Sequence, residues 1–69
     1  MERIYVSSTS LQSVGYDDQT QTLEVEFTNG LLYQYFDVSP AVYAELVGAS
    51  SIGQYFAQNI RNSYRYSRI

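Results

Sequence analysis

Thr22-Leu23-Glu24-Val25-Glu26-Phe27-Thr28-Asn29-Gly30-Leu31-Leu32-Tyr33-Gln34-Tyr35-Phe36 is the stretch on which the fold turns. Leu23, Val25 and Phe27 alternate with Glu24 and Glu26, the period of a strand with one face on a core and one in water. Asn29-Gly30 between two apolar runs is a strong hairpin signal, and Leu31 to Phe36 reads as the returning strand. Two registers are open. A two-residue turn pairs Thr28 with Leu31, Glu26 with Tyr33 and Glu24 with Tyr35, which stands both tyrosines on the solvent face beside the glutamates. A three-residue loop, Thr28-Asn29-Gly30 with Gly30 left-handed, pairs Phe27 with Leu31, Val25 with Tyr33 and Leu23 with Tyr35. One residue of slip turns every side chain of the strand over. The chain is short of large aliphatics, so its core needs the bulk of these tyrosines, and that favours the second register.

Outward from the hairpin the signals weaken. Upstream, Asp17-Asp18-Gln19-Thr20 is polar turn chemistry. Leu11 to Tyr16 is a short strand, with Leu11, Ser13 and Gly15 on one face and Gln12, Val14 and Tyr16 on the other. Residues 1–9 form a weak leading segment in which Ile4 and Val6 alternate around Tyr5. Downstream, Ser39-Pro40 opens a helix, with Ser39 as N-cap and Pro40 at the first helical position. Val42, Tyr43, Leu46 and Val47 make its apolar stripe, and Gly48 is placed to close it in the left-handed conformation. Ser50 or Ser51 caps a second helix with the stripe Ile52, Tyr55, Phe56 and Ile60. Gly53 in its first turn costs helix propensity, which points to close approach by the preceding helix or a strand. The tail, Asn62 to Ile69, alternates like a strand. The pattern predicts one α+β domain over residues 1–69: a small antiparallel β-meander or hairpin sheet packed against two short helices, with a β-like C-terminal tail.

Composition narrows the chemistry. The 69 residues hold eight tyrosines and no tryptophan, cysteine or histidine. A chain of this size buries roughly 60% of its unfolded surface. With no disulfide or zinc set to help, the core must come from aliphatic and aromatic side chains, which 45% hydrophobic content allows. The usual general base and thiol nucleophile are missing. Glu24 and Glu26 mark a solvent face, Asp17-Asp18 has no third acid at calcium-loop spacing, and the scattered glycines cannot cradle a phosphate. The expectation is therefore no enzyme, no metal and no cofactor. There is no signal-peptide pattern and no membrane-length apolar run, so a cytoplasmic location is expected.

The net charge of −3 argues against a general nucleic-acid binder, but the charges are unevenly placed. All seven acids lie between Glu2 and Glu45, with only Arg3 among them. From Leu46 onward come Arg61, Arg65 and Arg68 and no acid. Arginine favours planar, bidentate or stacked contacts. Arg65 and Arg68 interleave with Tyr64 and Tyr66, a composition suited to single-stranded RNA or another phosphate-rich partner. The plainer alternative is that these arginines neutralise the acidic half of the same fold. Tyr33 and Tyr35 join the contact patch only if they are exposed.

Several of these segments resemble the KTSC domain: Tyr33-Gln34-Tyr35-Phe36-Asp37-Val38-Ser39-Pro40 with Val42-Tyr43 and Leu46, Ser51-Ile52-Gly53-Gln54-Tyr55-Phe56, Ile60-Arg61, and Tyr64-Arg65-Tyr66. The resemblance covers nearly the whole chain, and the family's central Tyr-x-Tyr falls on Tyr33 and Tyr35. One departure is that Ser39 separates Val38 from Pro40, where the family usually has Val-Pro. That family occurs at the C-terminus of some bacterial lysyl-tRNA synthetases and as free-standing bacterial proteins. The family has no established activity, and the resemblance points toward RNA, single-stranded or tRNA. The expectation is a non-catalytic interaction module that binds RNA through Arg61, Arg65, Arg68, Tyr64 and Tyr66. The alternative is a protein-interaction or self-association module that uses an aromatic surface.

Overall fold

The computed structural model describes residues 1–69 and contains seven elements. They are β1 (Arg3–Tyr5), β2 (Leu11–Asp17), β3 (Thr22–Phe27), β4 (Leu32–Tyr35), α1 (Pro40–Gly48), α2 (Ile52–Asn59) and β5 (Tyr66–Arg68). The strands form one antiparallel sheet in the order β1-β2-β3-β4-β5, so β1 and β5 are its edges.

The hairpin takes the three-residue loop. Phe27 N–H donates to Leu31 O and Gly30 N–H to Phe27 O, each at 2.9 Å, and Gly30 has φ +90°. Val25 therefore pairs with Tyr33 and Leu23 with Tyr35. Leu23, Val25 and Tyr35 are buried, while Tyr33 is half-buried. Glu24 and Glu26 point to the opposite face. There Glu24 meets the Arg3 guanidinium and, at 3.2 Å, the Gln34 amide, and Glu26 accepts from the Ser13 hydroxyl at 2.9 Å.

β2 departs from simple alternation. Leu11 pairs with Phe27 but Ser13 pairs with Glu26, so Gln12 is an extra residue in the strand. A bulge of this kind lets two residues oppose one and resets the facing of the side chains. Leu11 consequently shares the core with Val14, and Ser13 and Gly15 lie on the other face, contrary to the expected grouping of Leu11 with them. Gly15 is also where the N-terminal segment crosses most closely. A Cβ there would stand 2.7 Å from Glu2 O and 2.8 Å from Arg3 Cγ.

Both helices cap as the sequence predicts. Ser39 accepts from Val42 N–H and Ser51 from Gln54 N–H, each at 3.3 Å. Two details differ. Gly48 does not take a positive φ; the helix ends on an extended Ala49 whose N–H donates to Leu46 O. The close neighbour of Gly53 is the loop before β2 rather than a helix or strand, since a Cβ on Gly53 would meet Ser8 Oγ at 2.9 Å and Ser10 Oγ at 3.0 Å.

α1 and α2 lie on one face of the sheet, where Leu46, Phe56 and Ile60 close over Leu11, Val14, Leu23, Val25 and Tyr35. Val38, between β4 and α1, is fully buried; its N–H donates to Gln21 O at 2.9 Å and its carbonyl accepts from the Tyr16 hydroxyl. Asp37 (φ 60°) makes the turn that delivers it. The Tyr16 ring stacks on Tyr43 with centroids 4.8 Å apart, which ties α1 to β2. Burial pushes both phenols above their ordinary pKa, aided at Tyr16 by Asp18 and Asp17.

Candidate functional site

Beyond the end of α2 the helix-covered face of the sheet opens into a groove of about 380 Å³. The hairpin supplies Phe27, Asn29 and Leu31 on one side, and Tyr33 and Tyr35 of β4 form the floor. Tyr66 of β5 makes the opposite wall, and Arg61 and Asn62, just past α2, form the lip. Pairing of Tyr35 with Tyr66 and of Tyr33 with Arg68 puts these four side chains on the same face, because directly opposed residues of an antiparallel pair project together. Ring centroids lie 5.7 Å apart for Tyr33–Tyr66, 5.6 Å for Tyr35–Tyr66 and 5.3 Å for both Phe27–Tyr33 and Tyr35–Phe56.

The tyrosines differ sharply in access. Tyr35 is only 3% exposed, whereas Tyr66 is 56% exposed. Tyr35 thus contributes no ring face for stacking, and Tyr66, with the half-buried Tyr33, carries the available aromatic surface. The Tyr35 phenol is held above its ordinary pKa chiefly by burial, reinforced by Tyr33 and Tyr66 and opposed by Arg61.

The arginines separate. Arg61 stands one residue past the C-cap of α2, where its N–H donates to Phe56 O at 3.0 Å. There it lies beside the partly negative carbonyl end of the helix. Arg61 and Arg68 have no carboxylate within 4.0 Å, since the ion pairs of the fold are Arg3–Glu24 and Arg65–Asp37. Arg65 turns elsewhere: its guanidinium is 3.6 Å from Asp37 and 5.3 Å from the Phe36 ring centre, and neither residue lines the groove. Tyr64 packs at the margin of the core and does not line it either. The groove therefore gathers Arg61, Tyr66, Tyr33 and Tyr35, with Arg68 alongside, and leaves Arg65 and Tyr64 out.

Phe27, Asn29, Leu31 and Asn62 are groove residues that the sequence reading did not single out. Phe27 and Leu31 read as core, and nothing local links Asn29 to Asn62. No acid lines the groove. The hairpin register is the cause, because it puts Tyr33 and Tyr35 on the face opposite Glu24 and Glu26.

A sheet of meandering strands roofed by two short helices, with an aromatic groove at its open end, defines a small α+β domain. The chain belongs to the KTSC domain family, whose model matches residues 7–64. It is 47% identical over 70 residues to an uncharacterized protein of Stutzerimonas stutzeri, with 100% of this chain and 99% of that one covered. A lysine–tRNA ligase of Nostoc punctiforme is 36% identical over 59 residues, which make up 86% of this chain and 10% of the ligase. The crystal structure of a KTSC domain protein from Yersinia pestis superposes with a TM-score of 0.93 at 32% identity, covering 99% of this chain and 96% of that one. No helix is long and apolar enough to cross a membrane, and no three His, Cys, Asp or Glu side chains stand together to hold a metal ion.

Proposed function

We propose that this domain binds single-stranded RNA along the groove, without catalysis. The observation that carries the reading is the company the aromatic rings keep. Tyr33 and Tyr66 share one concavity with Arg61, no carboxylate lines it, and Arg68 stands beside Tyr33 on the same face. Aromatic rings stack on the flat faces of unpaired bases, and free guanidinium groups donate to the phosphates between them. The same rings would suit a quaternary cation, but an arginine at the lip and the want of an acid oppose that. Similarity to a segment of lysine–tRNA ligases supports a partner of this chemical kind.

The test is a titration of a fluorescently labelled single-stranded hexaribonucleotide at low salt, followed by anisotropy, with wild type and Tyr66→Ala. Loss of one base-stacking ring is expected to weaken binding by about 1–3 kcal/mol, roughly 5- to 150-fold. Equal affinity for the two proteins, or no binding by wild type, refutes the proposal.

Self-association is a second reading, favoured by the other edge of the sheet. Met1, Ile4 and Tyr5 on and before β1 are 55%, 49% and 80% exposed, and an open apolar edge can add a strand from another copy. Sedimentation across a range of concentrations distinguishes it, a constant monomer mass excluding it.

A further inference from the structure

Tyr35 is the anomaly of the groove. Its ring is locked edge-on against Phe56, with Tyr66 and Tyr33 on its other sides, and the residue is 97% removed from solvent (3% exposed). Yet its hydroxyl makes no hydrogen bond within the protein; the tyrosine hydroxyls that do are those of Tyr16 and Tyr55. Every fully buried side-chain nitrogen or oxygen in the fold has a partner, so the Tyr35 oxygen is not among the sealed atoms. The Tyr35 oxygen therefore keeps some contact with solvent, and the concavity that the residue lines is the groove. A hydroxyl that solvent can reach, that has no partner in the protein and that is held rigidly at the floor of a cleft is placed to bond something that enters.

The walls say what could enter. They are flat rings with one arginine at the lip, and the volume of about 380 Å³ is near the lower end of small-ligand clefts, which run from roughly 300 to 1,000 Å³. That space suits a single nucleotide rather than a folded segment. Tyr66 offers an exposed face for stacking, and stacking alone is tolerant of sequence because every base has such a face. Discrimination among bases needs a fixed hydrogen-bonding group at the base edge. Arg61, exposed on a turn, can follow a phosphate but is a poor ruler for a base edge. The only groove residue both immobilised by burial and polar at its tip is Tyr35.

We infer that the groove receives one unstacked base of a single-stranded RNA, stacked against Tyr66, and that the Tyr35 hydroxyl reads the edge of that base. This rests on the RNA-binding reading above and adds a base preference that stacking and charge would not produce. Tyr35 is thus a specificity-determining residue, and the second tyrosine of the Tyr-x-Tyr pair serves core and ligand at once: its ring packs the fold and its oxygen faces the groove.

The experiment is the same anisotropy titration with hexa-adenylate, hexacytidylate and hexauridylate, for wild type and Tyr35→Phe. Phenylalanine keeps the ring and removes an oxygen with no partner in the protein, so the thermal midpoint should be unchanged. Wild type is expected to prefer one of the three oligomers. In Tyr35→Phe the preferred one should lose roughly three- to tenfold in affinity, the worth of one hydrogen bond, while the weakest is unaffected. Equal affinities for all three in wild type, an unchanged preference in Tyr35→Phe, or a uniform loss across the three overturns the base-reading role and leaves RNA binding standing. Absence of binding to any of the three by wild type removes both.

Discussion

Replacing the three C-terminal arginines one at a time separates a positive surface built for phosphates from one that merely balances charge. In the structure Arg61 stands at the lip of the groove and Arg68 beside Tyr33, neither within 4.0 Å of a carboxylate, whereas Arg65 is 3.6 Å from Asp37 and stacked over Phe36. Two phosphate contacts on a single strand give a slope of log affinity against log salt of about −1.4, so raising salt from about 50 to 200 mM weakens binding roughly sevenfold. Removing Arg61 or Arg68 should halve that slope to about −0.7, and the same salt step then costs only about 2.6-fold. Arg65→Ala should leave the slope at the wild-type value, because its guanidinium faces away from the groove and is already paired. The assay is the anisotropy titration repeated at four salt concentrations for wild type and each variant. Equal slope changes from all three substitutions would mean a diffuse charge effect, and a steeper dependence on Arg65 than on Arg61 would place the contact surface elsewhere. Binding indifferent to salt would remove the arginines from the interface altogether.

Two further outcomes test the framework that holds the groove. Gly15→Ala places a Cβ 2.7 Å from Glu2 O and 2.8 Å from Arg3 Cγ, so β1 must shift and loosen the Arg3–Glu24 pair. A loss of about 1–3 kcal/mol in urea unfolding is expected, and an unchanged midpoint would show that β1 does not cross there. Burial raises the pKa of Tyr35, Tyr16 and Tyr43 above the ordinary phenol value. A group with a raised folded-state pKa contributes stability that is whole below its unfolded pKa, about 10 for tyrosine, and is lost as pH climbs through the folded value. Thermal stability should therefore be insensitive to these groups below about pH 9 and fall above about pH 10, and a midpoint that rises in that range would contradict the burial of the three phenols.

The parts of the fold legible in the sequence are those decided by near neighbours. Strand β3 announces itself through Leu23, Val25 and Phe27, and the two helices through Ser39-Pro40 and Ser51, because alternation and capping are contacts within four residues. The bulge at Gln12 was not legible, since a single inserted residue leaves no mark until the partner strand is in place, and it moved Leu11 to the other face. Gly53 announces a close approach, but the neighbours are Ser8 and Ser10, more than forty positions away, rather than the preceding helix or a strand.

The candidate site divides the same way. Its residue types were visible, tyrosines and arginines following a long acidic stretch, and so was the better of two hairpin registers. What composition could not resolve is which arginines act together, since Arg61, Arg65 and Arg68 look alike along the chain and only packing sends one toward Asp37 and leaves the other two near the groove. By itself, then, the sequence determined the elements, the caps and the arginine and tyrosine content of the C-terminal half, all of which depend on short-range periodicity and charge. Tertiary structure alone decided that Phe27, Tyr33, Tyr35, Arg61 and Tyr66 share one concavity, because β5 returns beside β4 only after two helices have folded across the sheet. It also decided the dual character of Tyr35, whose ring is buried and whose oxygen keeps contact with solvent, a distinction that arises from the positions of Phe56 and Tyr66 and from nothing adjacent in the chain.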